Sequence, residues 1–278
     1  MKAGIISRTD IQEAVAVAST IVEYLDFKCV DVHVESETSR FLEVSKKGYD
    51  LSEMDVDFMV TIGGDGTILR AAMSMLRPET PILGVNLGRR GFLAEISPEG
   101  LEEAIDRVLV EDYHLEECVK LSSRCPEMDK VFPDSLNEVL VTTPVPSKVL
   151  EMSLRVNSDP FIDIQADGVL VATPTGSTAY NLSAGGSILA PGVPAMILTT
   201  ICPYSYFHSL VAPITSRIRI KLMKPKTDGL AIIDGSVQSP LKPNSTVEVW
   251  ASPHRARFIR FSSFYGRLER RLTFRHFK

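Results

Sequence analysis

Along the first 110 residues, short apolar runs alternate with stripes of helical spacing. Ala3 to Ser7 reads as a strand. Ile11, Ala14, Val15, Ala18, Ile21, Val22 and Leu25 then recur at intervals of three and four, with Thr9 and Gln12 at capping-box distance ahead of most of them. Cys29 to Val34 reads as a second strand, and the polar residues 35–55 as a loop with some helix. Phe58, Met59, Val60 and Ile62 form a run of the kind a buried strand carries. A helix over 67–76 follows, with Ile68, Leu69, Ala71, Ala72, Met73, Met75 and Leu76, and then a strand from Ile82 to Val85. Ser97 before Pro98 marks a helix start, and the helix from Glu99 to Val110 buries Leu101, Ala104, Ile105, Val108 and Leu109. This alternation predicts a parallel sheet covered by helices, with ligands at the carboxyl ends of the strands.

After about residue 112 the period changes from 3.6 to 2. Leu150, Met152, Leu154 and Val156 alternate with Glu151, Ser153 and Arg155. Ile218, Ile220 and Leu222 alternate with Arg217, Arg219 and Lys221. Val247 and Val249, then Phe258 and Phe261, suggest further strands, and Pro144, Pro146, Pro240 and Pro243 fall between strand candidates. The expectation is an α+β fold: a Rossmann-like α/β domain over 1–112, an all-β, sandwich-type domain over 113–263, and a basic tail over 264–278. That tail carries Arg267, Arg270, Arg271, Arg275 and Lys278, and reads as a solvated basic helix or tail in preference to a phosphate-binding segment, with room to pack back onto the first domain.

Composition narrows the class. With 44% hydrophobic and 23% charged residues, the 278-residue chain is ordinary for a soluble globular protein. A net charge of −5 gives no nucleic-acid signature, and no apolar run approaches the roughly 20 residues of a membrane span. The N-terminus lacks a secretory hydrophobic region. Cys29, Cys118, Cys125 and Cys202 contain no Cys-x-x-Cys pair, and the five histidines show no metal-ligand spacing. A cytoplasmic enzyme with free thiols is expected.

The chemistry gathers in two stretches. Gly63, Gly64 and Gly66 sit between a strand and a helix start, where glycine lets a ligand approach the backbone and free helix N–H groups face an anion. Asp65 among them is a poor choice for anion binding alone; it makes sense where a hydroxyl or a metal ion is also handled. In the second stretch a strand from Val169 to Ala172 runs into Thr173, Thr175, Ser177 and Thr178 around Gly176. Such a loop can offer backbone and hydroxyl donors to a diphosphate, and Tyr180 can pack on a base. Taken alone, the hydroxyls also fit a turn that satisfies its own backbone.

Gly63-Gly64-Asp65-Gly66-Thr67 resembles a signature shared by NAD kinases, diacylglycerol kinases and phosphofructokinases. Asp167-Gly168 followed by Thr173-Pro174-Thr175-Gly176-Ser177-Thr178-Ala179-Tyr180 resembles the NAD kinase signature alone. Asn137-Glu138, Cys202-Pro203-Tyr204-Ser205 (tyrosine standing for the family's histidine) and Phe264-Tyr265-Gly266-Arg267-Leu268 match further family patterns in order. Asp234-Gly235-Ser236 departs from the family's frequent Asp-Gly-Gln, and the spacer from Asn137-Glu138 to Lys148 is longer than usual.

The resemblance implies transfer of the terminal phosphoryl group of ATP, or of polyphosphate, to the adenosine 2′-hydroxyl of NAD. It implies that Asp65 is the catalytic group, that Gly63, Gly64, Gly66 and Thr67 shape a phosphate site, and that Arg70 meets phosphate. Asn137 and Glu138 would hold adenosine. Asp167, Thr175, Ser177, Thr178, Ala179, Tyr180 and Ser183 would line the rest of the dinucleotide site, with Lys148 and Asp234 as further ligand residues. Magnesium would arrive with ATP rather than in a protein cage, partners would be small molecules and not nucleic acid or membrane, and the chain would form a homodimer or homotetramer.

Overall fold

The computed structural model describes residues 1–87, 91–146, 148–223 and 228–272, the last three by backbone alone. Arg275 and Lys278, and the side chains of Arg270 and Arg271, lie outside the described residues. The chain forms two compact units, one of Met1–Glu117 continued from Ala256, the other of Cys118–Arg255.

The first unit opens with β1 (Lys2–Ser7), α1 (Gln12–Phe27), β2 (Asp31–Glu35), a single helical turn α2 (Ser36–Ser39) and the two-residue β3 (Gly48–Tyr49). β4 (Phe58–Gly63), α3 (Asp65–Ser74), β5 (Pro81–Asn86) and α4 (Leu101–Leu109) follow. All pairs in the order β3-β2-β1-β4-β5 are parallel. β4 is buried at all six positions, which is why it shows no alternation in sequence: helices cover both faces of a parallel sheet. One core cluster joins Ile5, Val60, Ile62 and Leu83 to Ala18, Ile21 and Leu25 of α1 and Ile105 and Val108 of α4. Cys29 ends α1 in the left-handed region (φ 59), so the second strand begins two residues later than expected. The capping box at Thr9 and Gln12 does not form. Ile11 is the N-cap, and the Thr9 hydroxyl instead donates to Glu37 Oε1 at 3.0 Å.

The chain leaves β1 toward β2 and β3, then returns to the opposite side of β1 as β4. The carboxyl ends of β1 and β4 therefore lie at a topological switch point, where a parallel sheet opens a crevice.

The second unit takes in most of β6 (His114–Cys125), then β7 (Lys130–Ser135), β8 (Glu138–Thr142), β9 (Leu150–Val156), β10 (Asp159–Ala166), β11 (Gly168–Ala172) and a short helical turn α5 (Tyr180–Ser183). β12 (Ala195–Ile201), β13 (Ser209–Pro213), β14 (Ile218–Leu222), β15 (Gly229–Ile233), β16 (Val237–Leu241) and β17 (Thr246–Arg260) complete the strands. The unit is an antiparallel sandwich. One sheet runs β13-β12-β11-β8-β15-β16; in the other layer β10, β9, β14 and the start of β17 pair in turn. β11 is buried along its whole length and stands centrally, between β8 and β12.

β17 is one strand of 15 residues, where the sequence suggested two. The intervening polar stretch stays extended because it finds partners: the Ser252 hydroxyl bonds the Asp134 carboxylate and accepts from the His254 amide at 3.0 Å. The units divide within this strand, and Arg257 and Phe258 pair in parallel with Pro81 and Ile82 of β5. The final helix α6 (Phe264–Leu272) is not simply a solvated basic segment. Arg267 is 6% exposed and is paired with Glu95 and Glu116.

Candidate active site

At the switch point of the first unit lies a cleft of about 310 Å³. Its walls are the end of β1 and the residues after it (Ser7, Arg8, Thr9, Asp10), Glu37 of α2, and Gly64, Gly66, Thr67 and Arg70 at the start of α3. Three glycines meet here for different reasons. Gly63 ends β4 at φ 153, and a Cβ there would stand 2.5 Å from Thr67 Oγ1 and 2.8 Å from Cγ of Arg8. Packing requires glycine at that position, and the Arg8 stem fills the space. A Cβ on Gly64 or Gly66 would meet nothing within 4 Å. The fold has no use for glycine at these two positions, and a ligand approaching the α3 amides does.

Both cleft arginines are held by carboxylates. Arg8 grips Asp10 through Nε at 3.0 Å and Nη2 at 2.6 Å; Arg70 reaches Glu37 at 2.7 Å and Glu35 at 3.7 Å. The hydrogen bond from Arg70, then that from Thr9, holds the Glu37 carboxyl below its usual range. These pairs are half-exposed and screened by solvent, so a polyphosphate can displace the carboxylates at little cost. Asp65 is the first residue of α3. Its Oδ2 accepts from the Phe92 amide at 2.8 Å and its Oδ1 from the Leu93 amide at 3.1 Å, which fixes the carboxylate from behind.

In the second unit, Asn137-Glu138 leads into β8 beside the loop that follows β11. Asp234, in the left-handed region at φ 46, holds this turn: Oδ2 accepts from the Leu136 amide at 2.7 Å, and Oδ1 from the amides of Asn137 at 2.8 Å and Glu138 at 3.0 Å. Thr173 locks the loop to the same turn, its amide donating to Asn137 O and its hydroxyl to Leu136 O. A Cβ on Gly176 would fall 2.0 Å from Asn137 O, so the two segments touch backbone to backbone. Glu138 is 7% exposed and its Oε2 has no hydrogen-bond partner among the described residues. Burial, and then the charge of Asp234, raise its pKa to about 8. Asp234 is also pushed up by burial, against the pull of the three amides.

The hydroxyls of the loop are used internally. Ser177 is fully buried, donates to Pro174 O and accepts from the Leu189 amide; Thr178 donates to Thr175 O at 3.1 Å. Fully buried Asn181 pins the loop to β12, its Oδ1 accepting from Thr199 Oγ1 at 2.7 Å.

Two family models match the chain, the ATP-NAD kinase N-terminal domain over residues 3–113 and the ATP-NAD kinase C-terminal domain over 136–261. The chain belongs to the NAD kinase family. The NAD kinase of Methanopyrus kandleri is 41% identical over 265 residues, covering 94% of this chain and 93% of that protein. The NAD kinase of Methanosphaera stadtmanae is 34% identical over 275 residues, covering 98% and 99%. An NAD kinase from Archaeoglobus fulgidus in complex with ATP superposes with a TM-score of 0.77 at 27% identity, covering 97% of this chain and 99% of that one. Yeast NADH kinase complexed with NADH shares the fold, with a TM-score of 0.88 at 23% identity over 100% of this chain and 89% of that one.

The residues that the NAD kinase signatures single out fall into two groups. Gly64, Gly66, Thr67 and Arg70 line the first-unit cleft with Gly63 behind them; Asp65, between the two glycines, does not line it and turns its carboxylate to the amides of Phe92 and Leu93. Asn137, Glu138, Asp234 and the loop from Thr175 to Tyr180 gather in the second unit. Tyr180 is 42% exposed, Ser183 is exposed, and Asp167 is half-buried, its carbonyl accepting from Thr143 N and Thr142 Oγ1. Lys148 is exposed in the connection before β9. Arg8, Thr9, Asp10 and Glu37 line the cleft without belonging to any signature. The position of Arg8 directly after a parallel strand is the one sequence signal that points to it.

Proposed function

We propose that this chain is an ATP-dependent NAD kinase. The adenosine 2′-oxygen of NAD attacks the terminal phosphorus of ATP, the bond to the bridging oxygen breaks, ADP leaves, and NADP is formed. The observation that carries this reading is the pair of glycines, Gly64 and Gly66, that packing does not need, that line the switch-point cleft, and that flank Asp65 at a helix start.

Phosphoryl transfer runs through a loose transition state, so positioning and charge neutralisation outweigh base strength. Asp65 orients the 2′-hydroxyl and takes its proton late in the transfer. The α3 amides, with Gly63 and Thr67 shaping the turn and Arg70 above it, receive phosphate. In the second unit Asn137 and Glu138 hold the adenosine, and Asp167, Thr175, Thr178, Ala179, Tyr180 and Ser183 line the dinucleotide. Asp234, Ser177 and Thr173 act from behind, by fixing backbone. Lys148 serves as an exposed cation for a phosphate.

Among the described residues no cluster of three or more His, Cys, Asp or Glu side chains could hold a metal ion. Magnesium is expected to come with the triphosphate and would supply charge neutralisation there. Polyphosphate is an alternative donor, because recognition of the transferred group by amides and guanidinium groups needs no adenine. No helix among the described residues is long and apolar enough to cross a membrane. A homodimer or homotetramer in the cytoplasm fits the family, and light scattering of the purified chain reads the mass.

The test is a donor-by-acceptor matrix of ATP or polyphosphate against NAD, diacylglycerol or fructose 6-phosphate, with products detected directly. NADP from ATP and NAD is expected; phosphorylation of another acceptor with none of NAD refutes the reading. Asp65→Asn is expected to lower kcat by orders of magnitude while NAD still binds. Unchanged turnover removes Asp65 from the mechanism.

A further inference from the structure

One of the two amides that hold Asp65 belongs to Leu93, whose own carbonyl is held by a buried charge. The segment from Leu93 to Ile96 lies along β5, where Glu95 N and Ile96 N both donate to Gly84 O, at 2.9 and 3.2 Å. The carbonyl of Leu93 accepts from Nη1 of Arg260 at 2.6 Å. Arg260 is 2% exposed, a charge the fold buries completely. Its Nε donates to Glu116 Oε1 at 2.9 Å, and its Nη1 also reaches Glu95 Oε2 at 3.4 Å. Arg267 of α6 closes the circuit, pairing with Glu116 and, at 3.6 Å, with Glu95. The other oxygen of Glu95 accepts from the amides of Phe261 and Ser262 and from the Ser262 hydroxyl. Burial alone would raise the Glu116 carboxyl; the two guanidinium groups outweigh it and hold it below its usual range.

A fully buried arginine costs much to desolvate and is retained where its partners are all satisfied. Arg260 meets two carboxylates, and its one other hydrogen-bond acceptor is the carbonyl of the residue whose N–H holds Asp65. We infer that Arg260 and Arg267 are positioning residues for the phosphoryl-transfer carboxylate, acting through Leu93, and that the C-terminal helix α6 thereby sets the aim of Asp65. The inference rests on reading Asp65 as the group that orients the attacking hydroxyl. A displacement of about 1 Å at such a group costs roughly 100-fold in rate.

The test uses full-length Arg260→Gln and Arg267→Gln, with Arg257→Gln as control; Arg257 lies on the same strand but pairs at the surface with Glu79 and Glu117. Both network variants are expected to lose about 10- to 100-fold in kcat with the Kd for NAD unchanged, the control neither. On an Asp65→Asn background, Arg267→Gln is expected to cost nothing further, because the group it aims is already disabled. Arg267→Lys should recover part of the rate.

Amide exchange at Leu93 should quicken in Arg267→Gln, a readout that needs no activity. It separates failure of this inference from failure of the NAD kinase reading, which wild-type NADP formation decides. Should Arg260→Gln not fold, Arg267→Gln carries the test alone. Full kcat in folded Arg267→Gln, rate losses that multiply on the Asp65→Asn background, or unchanged exchange at Leu93 would each overturn the inference.

Discussion

Glu138 offers the sharpest thermodynamic test of the second-unit site, because it is a buried acid with an unpartnered oxygen. In the folded chain its pKa is raised to about 8 from an ordinary 4.5, by burial first and by Asp234 second. The folded state therefore keeps a proton that the unfolded chain gives up above about pH 4.5. Stability must fall as pH rises from about 4.5 to about 8, and this group adds no further change above that. The slope is at most about 1.4 kcal/mol per pH unit, which over the window gives an upper limit of about 5 kcal/mol.

Glu138→Gln has the shape of the neutral acid and cannot ionise. Its melting temperature relative to wild type should therefore rise steadily with pH across the window and level off beyond it. At about 2–4 °C per kcal/mol for a unit of this size, each pH unit opens a gap of roughly 3–5 °C, well within reach of scanning calorimetry. The transition of the second unit is the one to follow, since two units need not melt together. Parallel melting curves for variant and wild type from about pH 5 to about pH 8 would show that Glu138 ionises normally, and the picture of a dry, expectant carboxyl would be wrong. Because Asp234 contributes to the shift, the two acids titrate as a pair, and Asp234→Asn should draw the midpoint down.

The glycines of the cleft separate fold from function by a single methyl group. Gly63→Ala places a Cβ 2.5 Å from Thr67 Oγ1 at a positive φ and should lower the melting temperature of the first unit; Gly66→Ala meets nothing and should melt as wild type while the KM for ATP rises several-fold. A stable Gly63→Ala, or a Gly66→Ala with unaltered kinetics, contradicts this division. Asp234→Ala strips acceptors from three buried amides and puts alanine at φ 46, so denaturant unfolding of the second unit should show a loss of roughly 3 kcal/mol or more. A loss below about 1 kcal/mol would mean that these amides find other partners.

What could be read from the sequence was what neighbours in the chain decide. β4 and β11 announce themselves because both faces are covered, and α1 because its buried residues recur on one side. The strand–glycine–helix unit at 58–74 is local and forms as the sequence predicts. What could not be read depends on partners far away in sequence. Arg267 looks like any solvated arginine until Glu116, 151 residues distant, is set beside it. Thr9 has the spacing of a cap but faces the cleft, where Glu37 takes its hydroxyl. The amides of Phe92 and Leu93 that hold Asp65 carry no side-chain signature at all.

The same distinction bears on how a binding site is told from a well-made turn. Ser177 and Glu138 sit in adjoining segments, and both look like ligand residues by type. The Ser177 hydroxyl donates to Pro174 O and accepts from Leu189 N, so the folded chain has already used its capacity, and removing it would leave the part-buried Leu189 amide without this acceptor. Glu138 keeps one oxygen buried and unmet, a cost that folding alone does not explain. Gly64 and Gly66 are the backbone counterpart: freedom conceded with no packing in return. Groups that the fold maintains at a loss are the ones a ligand must complete. By that criterion a ligand is expected at the glycines that flank Asp65 and at Glu138, while Ser177 belongs to the frame of its own loop.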